Sequence, residues 1–521
     1  MSNGGPTRPA PTIAPEPAVQ PTPIEPVLDP GSTAGEAGST LQPITERGGV
    51  RGALRLLVTS GSGRVGLLLF ALMTALSFWV VITYPRDFGV SRWSNPAVWA
   101  DNPKNAPPVW TRFFGDVVPH SVQTLSAPTE TRAIAAGEVR LFRVPIATSG
   151  KGSPALLSMT MTGVTFQGRA PAILASLVRP DGGRIRLAAV PIAAPRPGET
   201  APYRRFYESA ERVPLSSGPT ATQAISAYFA ERYPGDPVSI PQGDLSTALF
   251  GRPADDGSGG IVPIGGDFAL EIQTVVADPG DEIAPIRVTV GGTAFGFMGT
   301  DGLGRDLWEG LLYGFPVALL VATLTAAAST LIGASLGIVS GYSGGRVDAA
   351  IQRFSDIVSN VPTLPLLIFL VTLLGRQLWL IMLVLVAFSW PGLTILVRSM
   401  VLQLRSGQLV ESARALGASR LRIMTRHVFP QVAPFIIAQM IFFAPGAILA
   451  EASLSFLGLG DPSIPTWGQM LEAGFRTGAL YVGYWWWVLP PGILIVLTAI
   501  AFMLLALALE PIVDPRLRRP S

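Results

Sequence analysis

Apolar and polar positions divide the chain into four regions. Residues 1–46 carry no apolar periodicity and are rich in Pro, Gly, Ser, Thr and Glu. Such a segment buries too little surface to offset its ordering entropy, so it reads as a disordered cytoplasmic tail. Residues 47–84 hold a basic segment (Arg47, Arg51, Arg55, Arg64) and then the apolar run Val65 to Thr83. As a helix that run is about 28 Å long, enough for one crossing. A long preceding segment and the lack of a small-residue cleavage site favour a retained span over a signal peptide.

Residues 85–297 change character. Short apolar runs (Val139 to Pro145, Ala155 to Thr162, Ala172 to Val178, Ile185 to Val190, Phe268 to Val276, Ile286 to Val290) alternate with turn signals such as Pro180-Asp181-Gly182-Gly183 and Pro279-Gly280-Asp281. This spacing predicts an all-β sandwich or barrel with a helical patch near Gln223 to Glu231. About 210 residues can bury such a core without disulfides. Residues 298–521 then predict five further spans, at about Val317 to Gly341, Ile357 to Leu374, Trp379 to Leu402, Val432 to Leu457 and Trp485 to Leu507.

Composition and charge sharpen this picture. Hydrophobic residues are 48% and charged residues only 14%, as in a membrane protein, and cysteine is absent. Six crossings place both termini on one side. Arg346, Arg353, the arginines between 405 and 430, and Arg516, Arg518 and Arg519 all fall on that side, which is therefore cytoplasmic; Arg376 is the chief basic residue of the short outer loops. Tyr84, Trp379 and Trp485 to Trp487 fall at the outer ends, as an interfacial belt requires. The β-rich insert then lies outside the cytoplasm. Pro362, Pro365, Pro391, Pro434 and Pro445 are expected to break or kink spans, and Gly333 and Gly337 to permit close helix approach. Glu451, at the outer end of the fifth span, reads more readily as the cap of an interfacial helix than as a pathway residue.

The loop from Glu411 to Pro430 carries the most information. It is basic, its Leu409, Ala413 and Leu416 share one helical face, and Gly417 interrupts the helix. Small residues at Ser412, Ala413 and Ala415 permit close approach of another protein. A short helix, a glycine break and a second short helix make a knob on the membrane surface. That knob resembles the coupling loop of ABC importer permeases: Glu411, Gly417 and Pro430 keep the family spacing, while Ser412 replaces the usual Ala. Other motifs narrow the resemblance to the dipeptide, oligopeptide and nickel branch. Gly299-Thr300-Asp301-Gly302-Leu303-Gly304-Arg305-Asp306 resembles its signature before the second span, and Gly341 to Asp348 its first inner loop. Ala450-Glu451 through Gly460, followed by Trp467-Gly468, resembles the exit of its fifth span, and His427 to Pro430 the end of its coupling loop. The tail and the large insert are not part of the resemblance.

The resemblance implies an all-α membrane core of six transmembrane helices, of the type I ABC importer permease, with a large extracytoplasmic β-rich insert. It implies a subunit of a plasma-membrane importer for di- or oligopeptides, with a nickel chelate or another small solute as the alternative. Glu411, Ser412, Ala413, Ala415, Leu416, Gly417 and Pro430 would couple to the ATPase; Gly299, Thr300, Asp301, Gly304, Arg305, Asp306 and Glu451 would be family signature positions. Partners would be a second, different permease subunit, cytoplasmic ATP-binding subunits, an extracytoplasmic binding protein and the lipid membrane. No cofactor would bind this chain, since ATP and Mg belong to partner subunits. The sequence agrees: no Gly-x4-Gly-Lys-Ser/Thr loop occurs.

Other classes fare worse. The insert has a single histidine, His120, and no Gly-x-Ser-x-Gly elbow, so neither catalytic nor metal sites are expected. Asp255 and Asp256 sit in a Gly/Ser-rich stretch that reads as a solvated loop. The spans hold too few ionisable residues for a secondary transporter, and basic clusters beside spans give no support to nucleic-acid binding. A membrane-anchored sensor with an outer β domain leaves the motifs unexplained.

Overall fold

The computed structural model describes residues 57–115, 117–234, 240, 245–254 and 259–513. The tail, Arg47, Arg51, Arg55, Asp255, Asp256, Arg516, Arg518 and Arg519 lie outside them.

The helices run as follows: α1 Gly61–Thr83, α2 Pro219–Arg232, α3 Leu307–Ser343, α4 Gly345–Ser359, α5 Thr363–Leu374, α6 Leu378–Ser389, α7 Pro391–Arg405, α8 Gln408–Ala415, α9 Phe429–Phe456, α10 Trp467–Arg476 and α11 Trp485–Val513. By length and composition, five segments of the described residues are able to cross a membrane: α1, α3, the α6–α7 pair, the stretch Arg420–Phe456 and α11. The sixth expected span is not one straight helix. α4 and α5 meet at a 72° bend. Proline explains it: Pro362 has no N–H to donate and disfavours helical backbone at Val361. The apolar α5 alone is about 18 Å long, short of a crossing.

Two other expectations change. Pro434 and Pro445 lie inside the uninterrupted α9, so they do not break it. α3 starts ten residues before the expected Val317, because Asp306 caps it by accepting from the Trp308 N–H at 2.9 Å. At 37 residues α3 is far longer than a bilayer core needs.

Glycine sets the tightest contact of the bundle. Gly333, Gly337 and Gly341 recur at one face of α3. A β-carbon at each would lie 2.8 Å from a carbonyl oxygen of the segment opposite, those of Trp390, Thr394 and Arg398 respectively. α3 and α7 therefore touch backbone to backbone over two turns, as the small residues at 333 and 337 predict.

The β-rich region forms two main antiparallel sheets from nine strands: β1 Ser121–Leu125, β2 Glu130–Ile134, β3 Gly137–Ser149, β4 Leu156–Met161, β5 Ala172–Val178, β6 Arg184–Val190, β7 Glu211–Pro214, β8 Gly265–Val276 and β9 Ile286–Gly291. One sheet has the order β1-β9-β4-β7, the other β2-β3-β8-β5-β6. Alternation along β3 turns Phe142, Val144 and Ile146 inward. They share one core with Met159 and Val288 of the other sheet and with Ile225 and Phe229 of α2. This is the expected sandwich with its expected helix. The turn after β5 forms where Pro-Asp-Gly-Gly stands, with Gly182 at φ 78°. Arg179 is fully buried there, donating to the carbonyls of Leu249 (2.6 Å) and Gly251 (2.7 Å) and facing the Tyr228 ring. Its charge is thus satisfied within the core.

The segment before β1 packs with the helices instead of the sandwich. Phe88, Trp93 and Trp99 join a core with Leu311 of α3, Met470 of α10 and Trp487 of α11. Gly310 makes room for Trp93, whose ring would lie 2.5 Å from a β-carbon there.

Candidate functional site

The knob is built as a helix stopped by glycine. α8 ends at Ala415, and Gly417 takes the left-handed conformation at φ 76°. Its N–H donates to the Arg414 carbonyl (3.0 Å), and the Ala418 N–H reaches back to Ala413 (3.1 Å). These two bonds form a Schellman stop, which favours glycine because a side chain strains the left-handed residue. Ser419 caps the next turn, Arg420–Ile423, and Pro430 stands in the first turn of α9, where its missing N–H costs nothing.

One face of this unit is fixed to the bundle. Val410, Ala413, Ile423 and Val428 are buried with Tyr342 of α3 and Val401 of α7. The expected grouping of Leu409, Ala413 and Leu416 splits: Ala413 turns inward, while Leu409 is 51% and Leu416 88% exposed. Glu411, Ser412 and Ala415 are also exposed, as is Pro430. Leu409, Ser412, Leu416, Gly417, Arg422 and His427 line an open cleft of about 450 Å³. A rigidly held knob thus offers an apolar, small-residue face with a cationic rim.

A latch behind the knob was not foreseen. Asp348, at the start of α4, accepts two hydrogen bonds from Arg398 of α7, each 2.6 Å, and one from Ser340 of α3. Gln352 donates to the same Ser340 hydroxyl at 3.0 Å. With Ser340 the pair joins three helices about two turns before α7 ends and delivers the chain to α8. Bidentate geometry makes it a strong and directional bond. Arg398 is the one charge inside an otherwise apolar run, and an ionisable group in such a run needs a partner; that signal was available in the sequence.

The positions from Gly299 to Asp306 close on themselves. The Asp301 carboxylate accepts from the N–H groups of Leu303 and Arg305, both 2.9 Å, and from Arg305 Nε at 2.5 Å. The Arg305 guanidinium also lies 4.3 Å from the Trp93 ring centre. Thr300 donates to the Pro103 carbonyl (2.6 Å) and accepts from the Ala106 N–H (2.9 Å). Gly299 is at φ 76°, and a side chain there would strike the Ala106 carbonyl and Trp486. Gly304, at φ 81°, sits against the backbone of Trp99 and Asn102. Asp301 is spent inside the loop, while Thr300 and the two glycines tie the start of α3 to residues 99–106 and to α11. Burial pushes the Asp306 carboxyl up to about 6, against the cap bond from Trp308.

Glu451 is buried within α9, 6% exposed, and accepts from Ser455 Oγ at 2.6 Å. It is not at a helix end. The residue that caps α10 is Thr466, whose side chain accepts from the Gln469 N–H. α10 in turn presses on α9 and α3: a β-carbon at Gly468 would lie 2.6 Å from the Ala452 carbonyl, and Trp467 donates to the Leu311 carbonyl at 3.0 Å. In the β-rich region His120 is half-buried edge-on to Phe295, and burial lowers its pKa. Among the described residues no group of three or more His, Cys, Asp or Glu is placed to hold a metal ion.

Comparison with known proteins places these features. Residues 333–519 match the family described as binding-protein-dependent transport system inner membrane component. A dipeptide transport system permease protein, DppC of Bacillus subtilis (strain 168), is 37% identical over 224 residues, 43% of this chain and 69% of the relative. A protein of Brucella suis biovar 1 named as a peptide transport system permease is 38% identical over 223 residues, 42% of this chain and 74% of the relative. A solved inward-facing structure of the MetNI methionine ABC transporter aligns over 41% of this chain and 98% of its own, at 18% identity and TM-score 0.33, too slight a likeness to argue from. The stop at Gly417, the glycine contact of α3 with α7 and the match over 333–519 all fall in the shared helical region. The chain belongs to this family of binding-protein-dependent inner membrane components, in its peptide-permease branch, and is a permease subunit of an ABC importer.

Proposed function

We propose that this chain forms half of the translocation pathway of an importer of di- or oligopeptides, beside a second, different permease subunit. Separate cytoplasmic subunits bind ATP and magnesium, and an extracytoplasmic binding protein delivers the peptide. The knob at 405–430 takes up the motion of the ATP-binding subunits and passes it to α9, which begins directly behind it. Both termini face the cytoplasm, the bent α4–α5 pair counts as the sixth crossing, and the β-rich domain lies outside. Peptides are the cargo named for the permease relatives, and their shared backbone suits a pathway with few charges.

The observation that carries the coupling assignment is the knob's two-sidedness: Val410 and Ala413 buried in the bundle, Leu416 and Ser412 presented outward. Such a part moves with its helices and is still free to be gripped. Reconstituted with its partners, the wild-type complex accumulates labelled di- or oligopeptide with ATPase activity stimulated by loaded binding protein. Glu411→Lys, at an exposed position of α8, is expected to keep assembly and lose uptake. Normal uptake at normal expression would remove the coupling role from this loop. Stimulation by a metal chelate and by no peptide in a broad library would replace the substrate.

A further inference from the structure

Where the β-rich domain meets the helices, a short 3-10 turn, Val109–Phe113, lies across the ends of α1, α3 and α11. Trp110 fixes it. Its indole N–H donates to the Phe297 carbonyl at 2.9 Å, and its ring lies 5.5 Å from that of Trp485, the first residue of α11. Below Trp110 opens a groove of about 600 Å³ walled by hydrophobic side chains, among them Leu76, Trp79, Leu312, Trp485 and Ile493. Beyond Trp110 the turn ends in two consecutive phenylalanines, Phe113 and Phe114, which are 76% and 86% exposed. Arg112 beside them is exposed, with its guanidinium 5.4 Å from the Phe113 ring.

We propose that this surface is a lipid site: the turn 109–114 enters the headgroup layer of the leaflet on the β-rich domain's side, and a phospholipid acyl chain fills the groove beneath Trp110. The proposal rests on the reading of α1, α3 and α11 as membrane-embedded. Three observations commit the surface to lipid. The groove lies between α1 and α11 and is continuous with their outward apolar faces, where Leu72 and Ile493 are exposed. Its wall is rich in tryptophan, with Trp79, Trp110, Trp308 and Trp485 all lining it, the composition preferred at a membrane–water boundary. Arg112 supplies the positive charge that a phosphate headgroup complements. Two phenylalanines left in water forgo the gain of burying their rings, and in the interface they recover a share of it. The β-rich domain is then held at the bilayer surface by contact as well as by its chain connections.

The chain has no cysteine, so single labels are clean. Phe114→Cys and, separately, Leu72→Cys carry an environment-sensitive fluorophore on the full chain, assembled with its partners in nanodiscs. Lipids bearing a nitroxide either near the carbonyl or near the chain end serve as quenchers, and iodide reports water. Position 114 is expected to be quenched more by the shallow nitroxide than by the deep one, with the order reversed at 72, and to resist iodide. Quenching at 114 by iodide but not by either lipid would overturn the proposal in favour of water. Protection from all three would overturn it in favour of a protein cover. Loss of lipid quenching at 72 would instead overturn the membrane placement of α1, and the lipid site with it.

Discussion

Gly417 offers the cleanest test of the knob, because its cost is conformational alone. The residue sits at φ 76°, and a β-carbon there meets nothing within 4 Å. Alanine therefore adds no clash, only the left-handed penalty of about 1 kcal/mol. That shifts the balance between the closed stop and its opened forms about fivefold. Asparagine tolerates this region better and is expected to fall between glycine and alanine. Proline fixes φ near −65° and removes the N–H that bonds Arg414, so it costs about 3 kcal/mol or more and the turn is lost. Two assays read the series. Hydrogen exchange of peptides covering 408–418, in nanodiscs, follows the opening directly; peptide accumulated per ATP hydrolysed follows coupling. Both are expected to rank Gly, Asn, Ala, Pro, with intact assembly throughout. Exchange as slow in Pro as in Gly refutes the Schellman geometry. A graded exchange with unchanged coupling refutes the knob's role while leaving its structure standing.

Three further outcomes follow from the packing. Gly337→Ala puts a β-carbon 2.8 Å from the Thr394 carbonyl, so it is expected to cost about 1–3 kcal/mol and lower Tm in detergent; Gly392→Ala, with open space, leaves Tm unchanged or slightly higher. The Asp306 carboxyl titrates at about 6 when folded against an ordinary 3.8, so the native state holds a proton that the unfolded chain has released. Stability therefore falls as pH rises through this window and is flat above it, by at most about 3 kcal/mol. Asp306→Asn, which keeps the cap, is expected to flatten the Tm profile there, and an unchanged slope would remove Asp306 as its source. Residues 118–293 expressed alone are expected to fold as a soluble β-rich domain, since the two-sheet core is theirs; a far-ultraviolet spectrum dominated by helix or by disorder would contradict it.

Periodicity made much of this molecule legible. The runs at 172–178 and 268–276 read as strands and are strands, because alternation and turn chemistry pointed the same way. Gly417 read as a helix stop from its place after an amphipathic turn. Helix limits were harder. The first turns of α3, Leu307 to Phe315, include Glu309 and aromatic residues and so dropped out of an apolar window, although Asp306 marked the cap. Proline misled at 434 and 445, where the helix runs on, and informed at 362, where no continuous apolar helix follows on both sides. Partners across long separations left the faintest trace. Nothing local in Trp93 announces Gly310, which lies beside an Arg92–Glu309 ion pair whose members are 217 residues apart, and Leu409 and Leu416 promised a buried face that Val410 takes instead.

The β-rich domain enters and leaves through neighbouring strands. Ser121 of β1 stands opposite Val290 of β9, and just outside them the Thr293 N–H donates to the Val118 carbonyl at 3.0 Å while Thr293 Oγ1 accepts from the Val118 N–H. The two ends are thus about one strand spacing apart, near 4.8 Å. To the helices, a whole domain of this kind is equivalent to a hairpin turn: it asks for no new spacing, tilt or contact between α1 and α3. Scaffold and graft are then free to diverge at separate rates. The family match over 333–519 owes nothing to the graft, and the graft's own core borrows nothing from the scaffold.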